Sequence, residues 1–284
     1  MLSRRMIINF VLIVLIILFT YIGNRYDVDP GYQPKPSITG ISAAQITSVS
    51  IKTADDSLSL RREPNGWSLE TPIRWPANNV NVERLLTIVN SETESRLNAA
   101  EIDLAPLGLD FPKAMLQLDD TRILFGATNN IGERRYTMID STVFLLPDIH
   151  LPFISQGLTG IVDRRLLPRK LGLTLLKLPE LQLNRNADDS WSLAAAKDFE
   201  PQQIAQLAGN WQGLEATRVK PFAATGTPRQ KILAELEDGQ SLEFYLMSIE
   251  PEIVIANPYI GLQYHYAADR YYQLIDLPRD EDPA

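Results

Sequence analysis

Apolar and polar positions divide this chain into one unbroken apolar run and a long series of short alternations. Met6 to Ile22, MIINFVLIVLIILFTYI, holds no charge over 17 residues. That is near the lower limit for a helix crossing a hydrocarbon core of about 30 Å. Beyond it the period falls to two. Ile46 to Ile51, Leu58-Ser59-Leu60 and Trp67-Ser68-Leu69 read as strands, with turns at Asp55-Asp56 and Pro64-Asn65-Gly66. Val82, Leu85, Leu86 and Val89 then recur at i, i+3, i+4 and i+7, which predicts an amphipathic helix. Ser95-Arg96-Leu97 leads out of it, and Leu107 to Pro112 forms a loop. Met115 to Leu118 and Arg122 to Phe125 flank Asp119-Asp120 as a hairpin. After a turn at Asn129 to Gly132, Tyr136-Thr137-Met138 and Val143 to Leu146 make a second hairpin.

The same order then returns. Leu181-Gln182-Leu183 matches Leu58 to Leu60, and Trp191-Ser192-Leu193 repeats Trp67-Ser68-Leu69. Ile204, Leu207, Ala208 and Trp211 repeat the helical stripe, and Thr217-Arg218-Val219 repeats Ser95-Arg96-Leu97. Lys231 to Leu242 answers Lys113 to Leu124. Tyr264-His265-Tyr266 and Tyr271-Tyr272 are matched to Tyr136-Thr137-Met138 and Val143-Phe144. These correspondences predict an internal duplication of a strand-rich unit with one packed helix. The expected fold is α+β: a single N-terminal transmembrane helix, then two similar, mostly antiparallel units. The expected boundaries are 1–23 for the cytoplasmic stub and anchor, 24–44 for a Pro-rich linker, 45–147 for the first unit, 148–172 for a connector, 173–278 for the second unit and 279–284 for an acidic tail. In the connector, Ile154, Leu158, Ile161 and Val162 keep helical spacing, so it is expected to pack on both halves.

Charge sets the orientation. Arg4 and Arg5 precede the apolar run, whereas Asp27 and Asp29 follow it with Arg25. Positive flanks stay in the cytoplasm, so the bulk of the chain is expected in the periplasm of a bacterium, held at the inner membrane. Thr20-Tyr21-Ile22-Gly23-Asn24 makes a poor signal-peptide cleavage site, which favours a retained anchor. The chain has no cysteine, so disulfides, thiol catalysis and lipoprotein modification are excluded. A net charge of −8 argues against nucleic-acid partners.

Little in the sequence points to catalysis. There are two histidines: His150 in the connector, and His265 on a strand between Tyr264 and Tyr266. Acidic pairs fall at turns, where Asp bonds the local backbone. No nucleophile elbow, zinc-binding helix, phosphate-binding loop or dinucleotide fingerprint is present. No catalytic residue, cofactor or metal is therefore expected. The unusual local feature is the aromatic cluster Tyr259, Tyr264, Tyr266, Tyr271 and Tyr272. Such rings build either sheet cores or interaction surfaces, and Tyr259, Tyr264, Tyr266 and Tyr271 are the candidate interaction residues. Arg134-Arg135 and Arg164-Arg165 are read as solvated or salt-bridged surface.

Gly66-Trp67-Ser68-Leu69, Pro72, Pro76-Ala77, Leu107-Gly108-Leu109-Asp110-Phe111-Pro112, Phe125-Gly126 and Asp163-Arg164-Arg165-Leu166-Leu167 together resemble the bacterial domain-of-unknown-function family numbered 4340. Members look like envelope proteins with one N-terminal anchor, some beside ABC-transporter subunits. The resemblance implies architecture and a membrane complex, and it carries over no catalytic residue. The second copy lacks the Gly-Leu-Asp-Phe-Pro loop, so equal roles for the two halves are not implied. The expected function is that of a non-catalytic membrane-anchored accessory or scaffold protein, an auxiliary subunit of an ABC-transporter-type complex. The alternatives are a binding module for glycan, peptide or lipid built on the tyrosine-rich unit, and an envelope hydrolase. The first alternative requires Tyr264 or Tyr266 to line an open groove. The second requires a histidine beside a carboxylate in a cleft.

Overall fold

A computed structural model describes residues 4–26, 36–129, 132–195, 199–222, 228 and 230–278, with α1 side chains described at 9 and 11–21. Helix α1 spans Arg4–Tyr26. Every described side chain in it is exposed. Among the described residues no helix is long and apolar enough to cross a membrane. The outer parts of the expected span, at Met6–Ile8, Phe10 and Ile22, lie outside the described side chains. So do the linker through Pro30 and Pro34 and the acidic tail 279–284, which lie outside the described residues altogether.

The first unit runs β1 (Ser48–Thr53), β2 (Ser57–Glu63), β3 (Gly66–Thr71), β4 (Trp75–Pro76), α2 (Asn79–Leu86), β5 (Arg96–Asn98), β6 (Ala114–Leu118), β7 (Thr121–Asn129), β8 (Arg134–Ile139) and β9 (Thr142–Pro147). Its strands form one antiparallel sheet in the order β4-β3-β2-β1-β6-β7-β8-β9-β5. Two short helices, α3 (Leu151–Ile154) and α4 (Gly157–Ile161), form the connector. The second unit runs β10 (Leu173–Lys177), β11 (Gln182–Arg185), β12 (Trp191–Leu193), α5 (Pro201–Gly213), β13 (Arg218–Pro221), β14 (Gln230–Leu236), β15 (Ser241–Ser248), β16 (Glu252–Asn257), β17 (Leu262–Ala267) and α6 (Tyr271–Leu274). Its order is β12-β11-β10-β14-β15-β16-β17-β13, the first sheet's order without the short edge strand β4.

One expected correspondence is displaced by one strand. The strand in the place of β8 is β16, EIVIAN, which the sequence reading passed over. Tyr264-His265-Tyr266 therefore lies on β17, in the place of β9, and Tyr271-Tyr272 belongs to α6. Strand β10 was also unread, because its burial alternates poorly around a bulge between Leu173 and Leu175.

Packing follows the period of each element. Strand β6 buries Ala114, Leu116 and Leu118, and β14 buries Ile232, Ala234 and Leu236. Helix α2 buries Val82, Leu85 and Leu86 behind an Asn78 cap whose side chain accepts from the Asn81 N–H. Helix α5 starts on Glu200 with a capping box to Gln203, and it buries Ile204, Leu207, Ala208 and Trp211. Most buried apolar residues of both sheets and the connector belong to one continuous core cluster.

Asp119 ties the β6–β7 turn to the start of β1. It accepts from the Thr47 hydroxyl at 2.9 Å, from the Ser48 N–H at 2.8 Å and from the Ser48 hydroxyl at 2.9 Å. Partial burial pushes its carboxyl up, but the hydrogen bonds from Thr47 and Ser48 outweigh that and hold it below its usual value. A depressed carboxyl contributes stability that is present above the unfolded value, about 3.9, and lost as pH falls through the folded one. Acid unfolding should therefore steepen below about pH 4, and Asp119→Asn should remove that part of the slope. Urea midpoints measured from pH 6 to pH 2 check this.

Candidate functional site between the two units

The connector joins the sheets edge to edge. The Asn78 N–H donates to the Ile161 carbonyl at 2.7 Å, and the Asp163 N–H donates to the Pro76 carbonyl at 3.0 Å. On the far side, the Ala216 N–H donates to the Arg164 carbonyl at 2.8 Å. Arg164 and Arg165 both reach Glu215, at 3.9 and 3.2 Å. The segment thus runs between the β4 edge and the lead-in to β13. Asp163 is buried, and its carboxylate accepts from Arg169 Nε at 2.6 Å.

Next to this seam lies a cleft of about 740 Å³, within the size range of small-molecule sites. Its walls come from the β2–β3 turn, the β3–β4 segment, Pro168 to Leu171 of the connector and the β14–β15 turn through Asp238 and Gln240. Trp67 is fixed from three sides. Its N–H donates to Asn79 Oδ1 at 2.7 Å, its indole N–H donates to Glu83 at 3.1 Å, and the Arg62 guanidinium lies 4.6 Å from its ring. The approach of Asn79 requires Gly66: φ there is 125°, and a Cβ would sit 2.3 Å from the Asn79 amide. At the rim, Glu63 is shared by Lys170 and, at 3.6 Å, by Arg74. The Lys170 hydrogen bond leads in holding the Glu63 carboxyl below its usual value. Arg74 is 82% exposed on its side chain, which leaves its donors open to solvent.

Trp75 lies deeper. It is 3% exposed, and its ring centroid is 6.4 Å from that of Tyr259. Its indole N–H approaches the Tyr264 hydroxyl without reaching hydrogen-bond geometry. Tyr264 and Tyr266 are buried at 0% and 2% exposure, and neither hydroxyl has a hydrogen-bond partner among the described residues. Burial, followed by the charge of Asp163, pushes the Tyr264 hydroxyl above its usual range. Burial likewise leads for Tyr266, followed by Tyr264 and Asp163. Both phenols stay neutral. They belong to the core of the second sheet, so an open groove lined by Tyr264 or Tyr266 is not formed. Tyr259 is 57% exposed and touches Trp75 with its ring. Tyr271 packs edge-on against Tyr272 at 5.3 Å and borders a separate depression of about 260 Å³ with Ile275 and Asp276. The four candidate tyrosines therefore do not make one surface.

The histidines take structural places. His265 is 6% exposed, with Nδ1 at 3.1 Å from Glu252 and Nε2 at 3.0 Å from the Gln263 amide. Burial lowers its pKa against the opposing pull of Glu252. His150 is also buried, and its pKa is lowered by burial and then by Arg84. Neither lines the cleft. Among the described residues no group of three His, Cys, Asp or Glu side chains could hold a metal ion. Arg135 corrects the surface reading of its pair. Its guanidinium is buried, donating to Asp148, to Thr128 at 2.8 Å and to the Gly126 carbonyl at 2.5 Å.

The sequence reading missed the cleft. Trp67 stands out in the sequence, whereas Arg74-Trp75, Glu63 and Arg169-Lys170 do not. A tryptophan beside an arginine between two prolines was the available signal.

Two antiparallel sheets of one order, stitched at their edges around a cleft, define an α+β body. The chain belongs to the family described as Domain of unknown function (DUF4340), which it matches over residues 67–237. That segment opens in β3 and closes at the β14–β15 turn, so it takes in the whole connector and parts of both sheets. Comparison with curated proteins and with solved structures returns no match.

Proposed function

We propose that this chain is a non-catalytic accessory or scaffold protein of the bacterial envelope, an auxiliary subunit of an ABC-transporter-type membrane complex. Its two sheets arise from an internal duplication and face the periplasm, and α1 is a retained single-pass anchor with its N-terminus in the cytoplasm. The observation that carries the reading is α1 itself. Its described side chains from Val11 to Phe19 are exposed and apolar, with Phe19 at 70%. A helix apolar on all sides is stable in lipid or a large core, and none of these side chains enters the core cluster. The described stretch is shorter than a span, and the apolar sequence from Met6 to Ile22 supplies the remaining length. The full chain should stay with membranes through alkaline carbonate. The double variant Leu15→Arg, Ile16→Asp should release it, because each charge costs about 2.5–3.5 kcal/mol at a span centre. Wild-type protein in the supernatant would remove the anchor. Crosslinking in native membranes should recover a transporter subunit, and recovery of the chain alone would remove the accessory role.

A second reading is favoured by the cleft: a site for a short peptide or glycan. Trp67 and Trp75 give it aromatic walls, and Arg74 gives it an open donor set. Envelope glycans and short peptides should then quench tryptophan fluorescence saturably, and Arg74→Ala should weaken that response about tenfold. A flat titration with both ligand classes sinks this reading.

A further inference from the structure

The two sheets differ on their outer faces. In the first, the register aligns Met115 with Leu124, Leu124 with Met138, Met138 with Val143, and Val143 with Leu97. These side chains alternate with the buried row of Leu116 and Ile123, so they stand on the side away from the main core. Directly paired side chains on one face lie within contact reach. The result is an apolar row across five strands. Met115, Leu124 and Met138 are half-buried, and Leu97 is 43% exposed. Val143 is buried yet stands outside the main core cluster. In the second sheet Leu233 and Glu243 take the places of Met115 and Leu124, and Glu243 is engaged by Lys231 and by the Tyr245 hydroxyl. A lysine flanks the row in both sheets, Lys52 beside Met115 and Lys177 beside Leu233. One strand order thus carries an apolar outer row in one unit and an ion-paired one in the other.

One end of the apolar face is covered by the loop that the second unit lacks. Leu109 is buried there, and a Cβ on Gly126 would lie 2.3 Å from the Leu107 carbonyl. The other end is open. There Leu124 and Met138 floor a depression of about 330 Å³, rimmed by Gln117, Asp120, Arg122 and Asp140. Arg122 donates to Gln117. Asp120 and Asp140 have no ion-pair partner among the described residues. A methionine in the floor adapts its shape to an incoming side chain, and the rim, with two carboxylates against the one Arg122 guanidinium, is net negative and favours positive charge.

We propose that this face docks a segment of a membrane-protein partner that presents an apolar side chain flanked by lysine or arginine. The proposal rests on the accessory reading and names the surface that reading requires. The test places a photoreactive benzoylphenylalanine at Met138 in the full chain in native membranes, with the same residue at Leu233 as the comparison. The expected adduct at Met138 is a membrane protein, crosslinked through a peptide with Lys or Arg within four residues of the attachment point. Its yield should fall about tenfold when Asp120→Lys and Asp140→Asn are combined, and adducts at Leu233 should be far weaker. Asn suits position 140 because φ there is 51°. Equal adducts at both positions, an adduct with a second copy of this chain, adducts with lipid alone, or a yield unmoved by the charge changes would each overturn the proposal. A partner captured by an unselective lysine crosslinker without any Met138 adduct would overturn this surface and leave the accessory reading standing. No membrane partner under either reagent would end both.

Discussion

Replacing Asp148 by alanine is expected to lower the unfolding free energy by about 3–5 kcal/mol. The reason lies in what it leaves behind. The Arg135 side chain is 8% exposed, and both Asp148 oxygens bind it, at 2.7 Å to Nε and 2.5 Å to the terminal nitrogen. Without Asp148 a guanidinium stays in a desolvated place with the Gly126 carbonyl and Thr128 hydroxyl as its remaining acceptors among the described residues. Breaking such a pair costs more than the pair itself contributes, because the lone charge keeps its desolvation cost. Changing both partners, Arg135→Met with Asp148→Leu, should restore most of the loss. Chemical denaturation of the two variants checks the pair. An Asp148→Ala loss under about 1 kcal/mol would mean that Arg135 reaches water.

The second large effect belongs to Trp75→Ala, expected to cost about 3–5 kcal/mol. Trp75 is anchored in the first sheet by pairing with Leu69, while its ring meets Tyr259 of the second unit. Removing the indole empties a volume shared by both units, and neither sheet can collapse into it alone. Trp75→Phe should recover much of that loss, since the indole N–H it gives up has no partner among the described residues. Equilibrium unfolding followed by tryptophan fluorescence and by far-ultraviolet dichroism should stay coincident in the wild type and separate in Trp75→Ala. Coincident transitions with an unchanged midpoint would show that Trp75 does not hold the units together.

Much of the architecture is local and therefore readable. Period-two runs such as Leu58-Ser59-Leu60 and the stripe Val82, Leu85, Leu86, Val89 bury the faces that their spacing predicts. Trp67-Ser68-Leu69 and Trp191-Ser192-Leu193 mark strands at matching places in the two orders. Resemblance to the 4340 family was carried by short motifs, and the family match covers most of them. The misreadings came where pattern is silent. Strand β16 was overlooked because the tyrosines drew the hairpin match to the next strand. Arg135 was placed at the surface because a pair of arginines gives no hint of Asp148, thirteen residues away and across a β hairpin.

The site divides in the same way. Turn residues and the absence of cysteine follow from the chemistry of each position, so the sequence alone determined most of the strand-and-helix succession, its recurrence through the Trp-Ser-Leu strands and helical stripes, and the lack of thiol chemistry. Tertiary structure decided which tyrosines are core, where the connector runs, and that Glu63, Arg74, Trp75 and Lys170 meet in one cleft. The outer row from Met115 to Leu97 also needed strand register, because residues facing the core and residues facing away share the same period. Spacing along a chain fixes which side a residue takes relative to its neighbours. Only the pairing of distant strands fixes what lies on that side.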